Sequence, residues 1–285
     1  MPEILGVMGG SGLYDMEGLK NVRRVSVRTP FGSPSDSLTV GELEGRTLAF
    51  LPRHGRGHRI SPSQINFRAN VYAMKKIGAN ALLSISAVGS MKERIRPGDI
   101  VVVDQFFDQT RFRPNTFFSD GVVGHVAFAD PVCPDLSGVA YAAARKVVRR
   151  VHRRGTYLCV EGPAFSTRAE STIYRAWGVD VIGMTNLPEA KLAREAELCY
   201  ATLALATDYD CWHAAEADVS VEAILAILQR NVENSRQIVR EVALRLPLSG
   251  GCRCGEALKH ALLTDRKAIP AAAAKRLSLL AGKYL

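Results

Sequence analysis

The chain has 285 residues, 47% hydrophobic, 23% charged and 7% aromatic, a composition that excludes disordered, collagen-like and disulfide-scaffold proteins. At this length roughly three quarters of the unfolded surface can be buried, so no covalent staple is required. The 37 Lys+Arg against 28 Asp+Glu leave a net charge of +9, which suits a nucleic acid, a membrane surface or a small anionic substrate.

In chain order, apolar bursts at 4–8, 47–51, 81–86, 100–103, 156–160, 179–184 and 200–206 read as strands. Helical periodicity covers 63–76, 137–152, 168–177, 188–197 and 219–244, the last with Val221, Ile224, Leu225 and Leu228 on one face. This alternation predicts an α/β fold with a largely parallel sheet. No linker interrupts it, so a single domain over 1–285 is expected, with a Gly/Cys segment and tail from about 248. Arg96-Pro97-Gly98-Asp99 reads as a turn feeding a buried strand. Residues 104–134 read as a long irregular loop, a kind that is often functional.

No apolar run approaches the ~20 residues of a membrane helix. Met1-Pro2-Glu3-Ile4-Leu5 lacks the basic and long apolar regions of a signal peptide, so a cytoplasmic protein off the membrane is expected. The basic block Arg145 to Arg154 reads as a solvated helix end that complements the helix dipole. A nucleic-acid surface would interleave aromatics there, and none occur. Of six cysteines, Cys133, Cys159, Cys199 and Cys211 stand singly and read as small hydrophobes. Without a C-x-x-C pair, no metal site is expected. Cys252-Arg253-Cys254 fits a reduced pair, a tight local disulfide or a redox-sensitive spot alike.

The informative residues sit where strands end. Six of the strands run into Gly9-Gly10-Ser11-Gly12, Arg53 to His58, Ser86 to Ser90, Glu161 to Thr167, Thr185-Asn186 and Thr207 to Asp210. Ligands of open α/β sheets bind outside the carboxyl ends of the strands, so these loops predict one composite pocket. The Gly-rich turn can cradle an anion on bare N–H groups, with the Ser11 hydroxyl as a further donor, or it can be a tight turn only. His54 and His58 have a zinc-pair spacing, but the intervening glycines oppose a helix, and Arg53 suits bidentate phosphate recognition better. Ser86 adds a donor at the end of another buried strand. Asp208 and Asp210 read either as a helix cap with a solvated acid or as a carboxyl pair facing an amino and ring-nitrogen edge. Phosphate donors, paired acids and no cofactor motif point to phosphate-dependent cleavage of a bond to a basic leaving group.

These pieces, with Thr29-Pro30-Phe31-Gly32, Pro97-Gly98-Asp99, Glu161-Gly162-Pro163, Ser166 to Glu170, Met184-Thr185 and Thr207 to Trp212, stand in an order that resembles the methylthioadenosine phosphorylases of the purine nucleoside phosphorylase superfamily. The resemblance spans nearly the whole chain. It implies a three-layer α/β/α fold around a mixed, partly barrel-like sheet. The implied reaction is phosphorolysis of 5'-deoxy-5'-methylthioadenosine, with inorganic phosphate as co-substrate and no cofactor or metal. It also implies a homotrimer or dimer of trimers, with small-molecule partners rather than nucleic acid. By the same resemblance Ser11, Arg53, His54, Ser86, Ala87 and Thr185 bind phosphate. Phe165 and Ser166 meet the base, Met184 the ribose, and Asp208 and Asp210 the purine edge. Val221 and Ile224 line the methylthio pocket, and His125 reaches in from a neighbouring subunit. The Cys252/Cys254 pair resembles one in members from heat-loving organisms, which leaves a stabilising disulfide open. Competing readings are a 6-oxopurine or methylthioinosine phosphorylase, a nucleosidase using water, and a nucleotide- or nucleic-acid-binding module.

Overall fold

The computed structural model describes residues 4–10, 12–13, 16–213, 221–248 and 250–285, with backbone only for 221–226 and 228. They form an eleven-stranded mixed sheet: β1 (Ile4–Gly9), β2 (Lys20–Val25), β3 (Leu38–Leu43), β4 (Arg46–Pro52), β5 (Ala79–Ser90), β6 (Ile100–Val103), β7 (Gln105–Gln109), β8 (Val151–His152), β9 (Thr156–Val160), β10 (Val181–Gly183) and β11 (Cys199–Asp208). The helices are α1 (Phe67–Lys76), α2 (Pro134–Val147), α3 (Arg168–Ala176), α4 (Glu189–Glu195), α5 (Val221–Leu244) and α6 (Ala271–Ala281). None of the described helices is long and apolar enough to cross a membrane.

The central strands alternate between two cores with the two-residue period of the pleat. Met8, Leu82, Val101, Tyr200 and Ala204 face one core, which α1, α4 and α6 cover through residues such as Val71, Leu192 and Leu277. Leu5, Val7, Leu83, Val102 and Leu203 face the other, under Leu136 and Ala140 of α2 and Ile238 and Val239 of α5. Burial on both faces explains why these strands read as unbroken apolar runs. The result is the expected α/β/α layering around a mixed sheet.

The sheet forks at β5. Its first half pairs in parallel with β1 as far as Met8↔Ser84, and its last two residues pair antiparallel with β10 at Ile182↔Gly89 and Val181↔Ser90. The opposite edge is held throughout by β11, from Cys199↔Ala81 to Asp208↔Gly89. Residues 85–88 therefore have no strand on the β1/β10 side, and Ala87 is exposed between buried Ser86 and Val88. Such a divergence of neighbouring strands is where open α/β sheets bind ligands.

Several sequence expectations are corrected. The helix placed at 137–152 runs from Pro134 to Val147, with Cys133 as its cap, and its expected last residues form β8. The basic block is consequently more than a solvated helix end. Arg150 and His152 each lie 2.9 Å from the buried carboxylate of Asp99, which also accepts the Arg96 N–H at 3.0 Å. The 104–134 segment begins with β7, parallel to β9 from Gln105↔Thr156 to Gln109↔Val160; its Phe and polar residues disguised an edge strand. Strands β2, at the sheet's edge, and β3, between β2 and β4, were also not expected, and α1 begins only at Phe67, after a short 3-10 turn. The Ala-rich α6 was missed, although Ala273, Leu277 and Leu280 enter the core. Finally, Cys133 and Cys199 are not isolated hydrophobes, because they converge with Cys252 and Cys254.

Candidate active site

At the gap in β5, the Ser86 hydroxyl lies 3.0 Å from the Thr185 hydroxyl and 3.2 Å from that of Tyr157. Tyr157 rises from β9 beneath Gly183, where an added Cβ would come within 2.0 Å of its hydroxyl oxygen. Glycine at 183 therefore lets the phenol reach Ser86 and the Thr185 N–H, 3.4 Å away. Burial pushes the Tyr157 pKa up to about 12, so it stays a neutral donor. Ser86 and Thr185, expected to share a ligand, are thus brought together.

Arg53 is 2% exposed, and its Nε and Nη2 grip Glu189 at 2.7 and 3.0 Å. Nη2 also reaches Ser84 Oγ at 2.7 Å and Met8 O at 3.2 Å, while Nη1 donates to Ile85 O at 3.3 Å. Burial would lower its pKa, but the Glu189 carboxylate prevails and raises it. One Nη1 N–H, beside the residue preceding Ser86, has no partner among the described residues. Arg53 is thus a buried cation whose two-point partner is Glu189, which the sequence did not reveal. Beneath it, Asn186 Nδ2 donates to Tyr200 OH and Thr202 Oγ1 at 2.9 and 2.6 Å, and Tyr200 OH donates to Glu189 Oε1 at 3.0 Å. Ser84, Thr202 and Glu189 were missed. Hydroxyls in otherwise apolar strands and an acid opening a buried helix were the available clues.

His54 is buried, with Nδ1 2.8 Å from the Ile60 carbonyl and its ring stacked on His58 at a centroid separation of 4.2 Å. Burial lowers its pKa to about 4, with Arg53 adding to the effect. The ring is neutral at pH 7, and the Ile60 carbonyl fixes the proton on Nδ1, leaving Nε2 as an acceptor.

The other end of the gap carries the acids. Asp208 Oδ1 accepts the Asp210 N–H at 2.7 Å, and Oδ2 accepts the Thr207 hydroxyl at 2.7 Å. Asp210 Oδ2 accepts from Ser171 Oγ at 2.5 Å. A Cβ at Gly89 would meet Asp208 Oδ1 at 3.0 Å and Asp210 Cβ at 3.3 Å, so glycine there admits both acids to the sheet edge. The Asp210 pKa is raised, by burial first and by the Asp208 charge beside it, against the Ser171 hydrogen bond. Ser86 and Gly89 are three residues apart on one strand, about 10 Å at the rise of a strand. Hydroxyl donors at one end and two neighbouring carboxyl groups at the other fit opposite ends of a nucleoside-sized ligand.

The remaining candidates are more scattered. Phe165 is 85% exposed, and the Ser166 carbonyl lies 3.4 Å from Cys211 Sγ, beside Asp210. Met184 is half-buried, and its carbonyl accepts from Arg113 Nη1 at 2.7 Å. His125 is exposed, on a segment tied by its N–H to the Ala261 carbonyl at 2.8 Å. Ser11 and the side chains of Val221 and Ile224 lie outside the described residues.

A family model described as the phosphorylase superfamily matches residues 4–243. The chain is 58% identical over 286 residues to an S-methyl-5'-thioadenosine phosphorylase of Geobacter sulfurreducens, covering 100% of both chains. A protein of the same name from Thermosynechococcus vestitus is 55% identical, with 99% of each chain covered. Among solved structures, a methylthioadenosine phosphorylase from an antarctic soil metagenomic library superposes with a TM-score of 0.92 at 46% identity, over 98% of this chain and 99% of that one. The Schistosoma mansoni methylthioadenosine phosphorylase in complex with adenine gives a TM-score of 0.80 at 39% identity, over 85% and 91%.

Proposed function

The chain belongs to the phosphorylase superfamily, and from that premise we infer that the gap in β5 is its reaction centre. The protein is a pentosyltransferase of the purine nucleoside phosphorylase type. It converts 5'-deoxy-5'-methylthioadenosine and phosphate to adenine and 5-methylthioribose 1-phosphate, in purine and methionine salvage. The observation that carries the site assignment is the placement of Ser86 and Thr185 at one end of a single strand gap and Asp208 and Asp210 at the other.

In this reading Ser86, Thr185, the Ala87 N–H, the free Nη1 N–H of Arg53 and Ser11 hold the phosphate. Neutral His54 accepts its remaining O–H. The anion stabilises the ribosyl cation that develops as the N-glycosidic bond breaks, then forms the new C–O bond. The Asp208/Asp210 pair supplies the proton that N7 takes as adenine leaves, and accepts from its amino group. A 6-oxopurine would set an acceptor against these acids, which favours the 6-amino base. Phe165, Ser166 and Met184 complete the nucleoside pocket, with Val221, Ile224 and a neighbour's His125 at the methylthio end. Phosphate is the only co-substrate, and no step calls for a cofactor. Small soluble substrates fit a cytoplasmic enzyme.

A panel of methylthioadenosine, adenosine and methylthioinosine, with and without phosphate and followed by release of free base, tests the function. Phosphate-dependent adenine release is expected. Equal turnover without phosphate would make the enzyme a hydrolase and remove the anion site. In Asp208→Asn and Asp210→Asn, turnover of methylthioadenosine should fall by roughly 10²–10⁴-fold, the usual worth of a general acid. In the double variant the preference should move toward methylthioinosine; an unchanged ratio would mean that the acids do not read the base.

A further inference from the structure

The fold gathers four cysteines for which phosphorolysis has no use. Cys133 caps α2, Cys199 opens β11, and Cys252 and Cys254 follow α5. Their Sγ atoms all lie within 4.8 Å of one another, and all four are free thiols. Cys199 and Cys252 approach to 3.4 Å. Cys133 and Cys254 are buried, and the other two are half-buried.

A tetrahedral tetrathiolate zinc centre, with Zn–S bonds of about 2.3 Å, sets its sulfurs about 3.8 Å apart, inside this spread. The surroundings suit thiolates. Cys133 Sγ sits at the positive end of α2 and accepts the Leu136 N–H at 3.5 Å, the kind of support that orients a metal-bound sulfur. Asp135, in the first turn of the same helix, accepts the Cys252 N–H at 3.1 Å and so fixes the incoming segment. Lys75 and Arg194 interact electrostatically with Cys199 and Cys254, and offset the double negative charge that four thiolates leave on zinc.

We propose that Cys133, Cys199, Cys252 and Cys254 form a structural zinc site that clamps the segment after α5 onto α2 and β11. Binding replaces four S–H bonds by four Zn–S bonds and releases four protons. Four protein ligands leave no open position, so the ion has a structural and not a catalytic role. The reaction centre is also remote: Cys199 and Asp208 are the two ends of β11, roughly 30 Å apart at strand rise. The spacing hid the site because its ligands come from three separated places in the chain, with one residue between the last two.

The test uses the full chain, reduced and stripped of metal under anaerobic conditions, then titrated with Co²⁺ and afterwards with Zn²⁺. Expected are one Co²⁺ per chain, the charge-transfer and visible bands of a tetrahedral tetrathiolate, and displacement by one Zn²⁺ with a rise in Tm. The initial phosphorolysis rate should be the same with and without metal. Cys254→Ser should lose the tetrathiolate spectrum, and Cys211→Ser should keep it. The wild-type titration needs no variant, so a poorly folding substitution does not blunt it. The proposal is overturned if the reduced chain binds no Co²⁺. It is also overturned if the protein as purified is lighter by four hydrogens, since the cluster is then two disulfides.

Discussion

Replacing Arg53 should have two consequences, because its guanidinium is a phosphate donor in the proposed mechanism and the partner of a fully buried carboxylate. Arg53→Ala strands Glu189, and breaking such a pair costs about 3–5 kcal/mol. A fall in the urea midpoint is therefore expected alongside a raised KM for phosphate. An unchanged midpoint would show that Glu189 finds another partner. Glu195 gives a separate, pH-dependent prediction. Burial raises its pKa from 4.5 to about 7, while the Phe117 N–H and the Thr116 hydroxyl hold its two oxygens at 2.6 and 2.7 Å. Between those values the folded chain keeps a proton that the unfolded chain releases. Unfolding free energy should thus fall as pH rises from about 4.5 through about 7, by an amount on the order of 3 kcal/mol. Glu195→Gln removes the buried charge, its amide oxygen accepting the Phe117 N–H and its NH2 donating to the Thr116 hydroxyl oxygen. Equilibrium unfolding at pH 5 and pH 8 should show a flatter profile, with the variant the more stable at pH 8; an identical pH dependence in the two proteins would remove Glu195 as the cause.

Helix α3 couples local capping to the acid pair. Thr167 accepts the Glu170 N–H at 3.2 Å, Glu170 returns the bond to the Thr167 N–H at 2.7 Å, and one residue later Ser171 reaches Asp210. Thr167→Ala should lower stability by about 1 kcal/mol in a denaturant titration. Ser171→Ala removes a hydrogen bond that lowers the Asp210 pKa, so that value rises further. If the pair must hold a proton, activity lost at alkaline pH is then lost at a higher pH, and the alkaline limb of kcat/KM should move up. A downward move would contradict the acid role. At this scale the sequence was legible where burial is two-sided: β1, β4, β5, β6, β9 and β11 all show as apolar runs. It was illegible in β3, whose apolar run is broken by Thr39, Gly41 and Glu42, at the edges, where β2 and β7 carry charged or mixed residues, and in α6, whose alanines give little contrast between faces. Among site residues, those at strand ends stood out by chemistry. Glu189, Tyr157 and Ser171 did not, since only the folded chain shows which atoms they touch.

On the scale of the whole molecule, Phe107, Phe112, Phe165, Ile173 and Trp177 are 42–87% exposed and come from β7, α3 and their flanking segments. Exposed large apolar side chains in this number suit association, which agrees with the trimer or dimer of trimers that the family resemblance implies. Light scattering should give a multiple of the 31.0 kDa chain, and Phe112→Glu with Ile173→Glu should reduce it. A fully active monomer would rule out a neighbour's His125 in the site. The central place of β5 also shapes how the protein is made. One edge of that strand waits for β11, whose last residue is 208, whereas β5 itself ends at 90. At translation speeds of roughly 5–20 residues per second, the intervening 118 residues (208 − 90) take about 6–24 s. Throughout that time the nascent chain presents an unpaired, mostly apolar edge, the kind that pairs with other chains. Demand for chaperones during synthesis should therefore peak in this window, and an arrested chain ending near residue 198 should aggregate more readily than one that has emerged past 208.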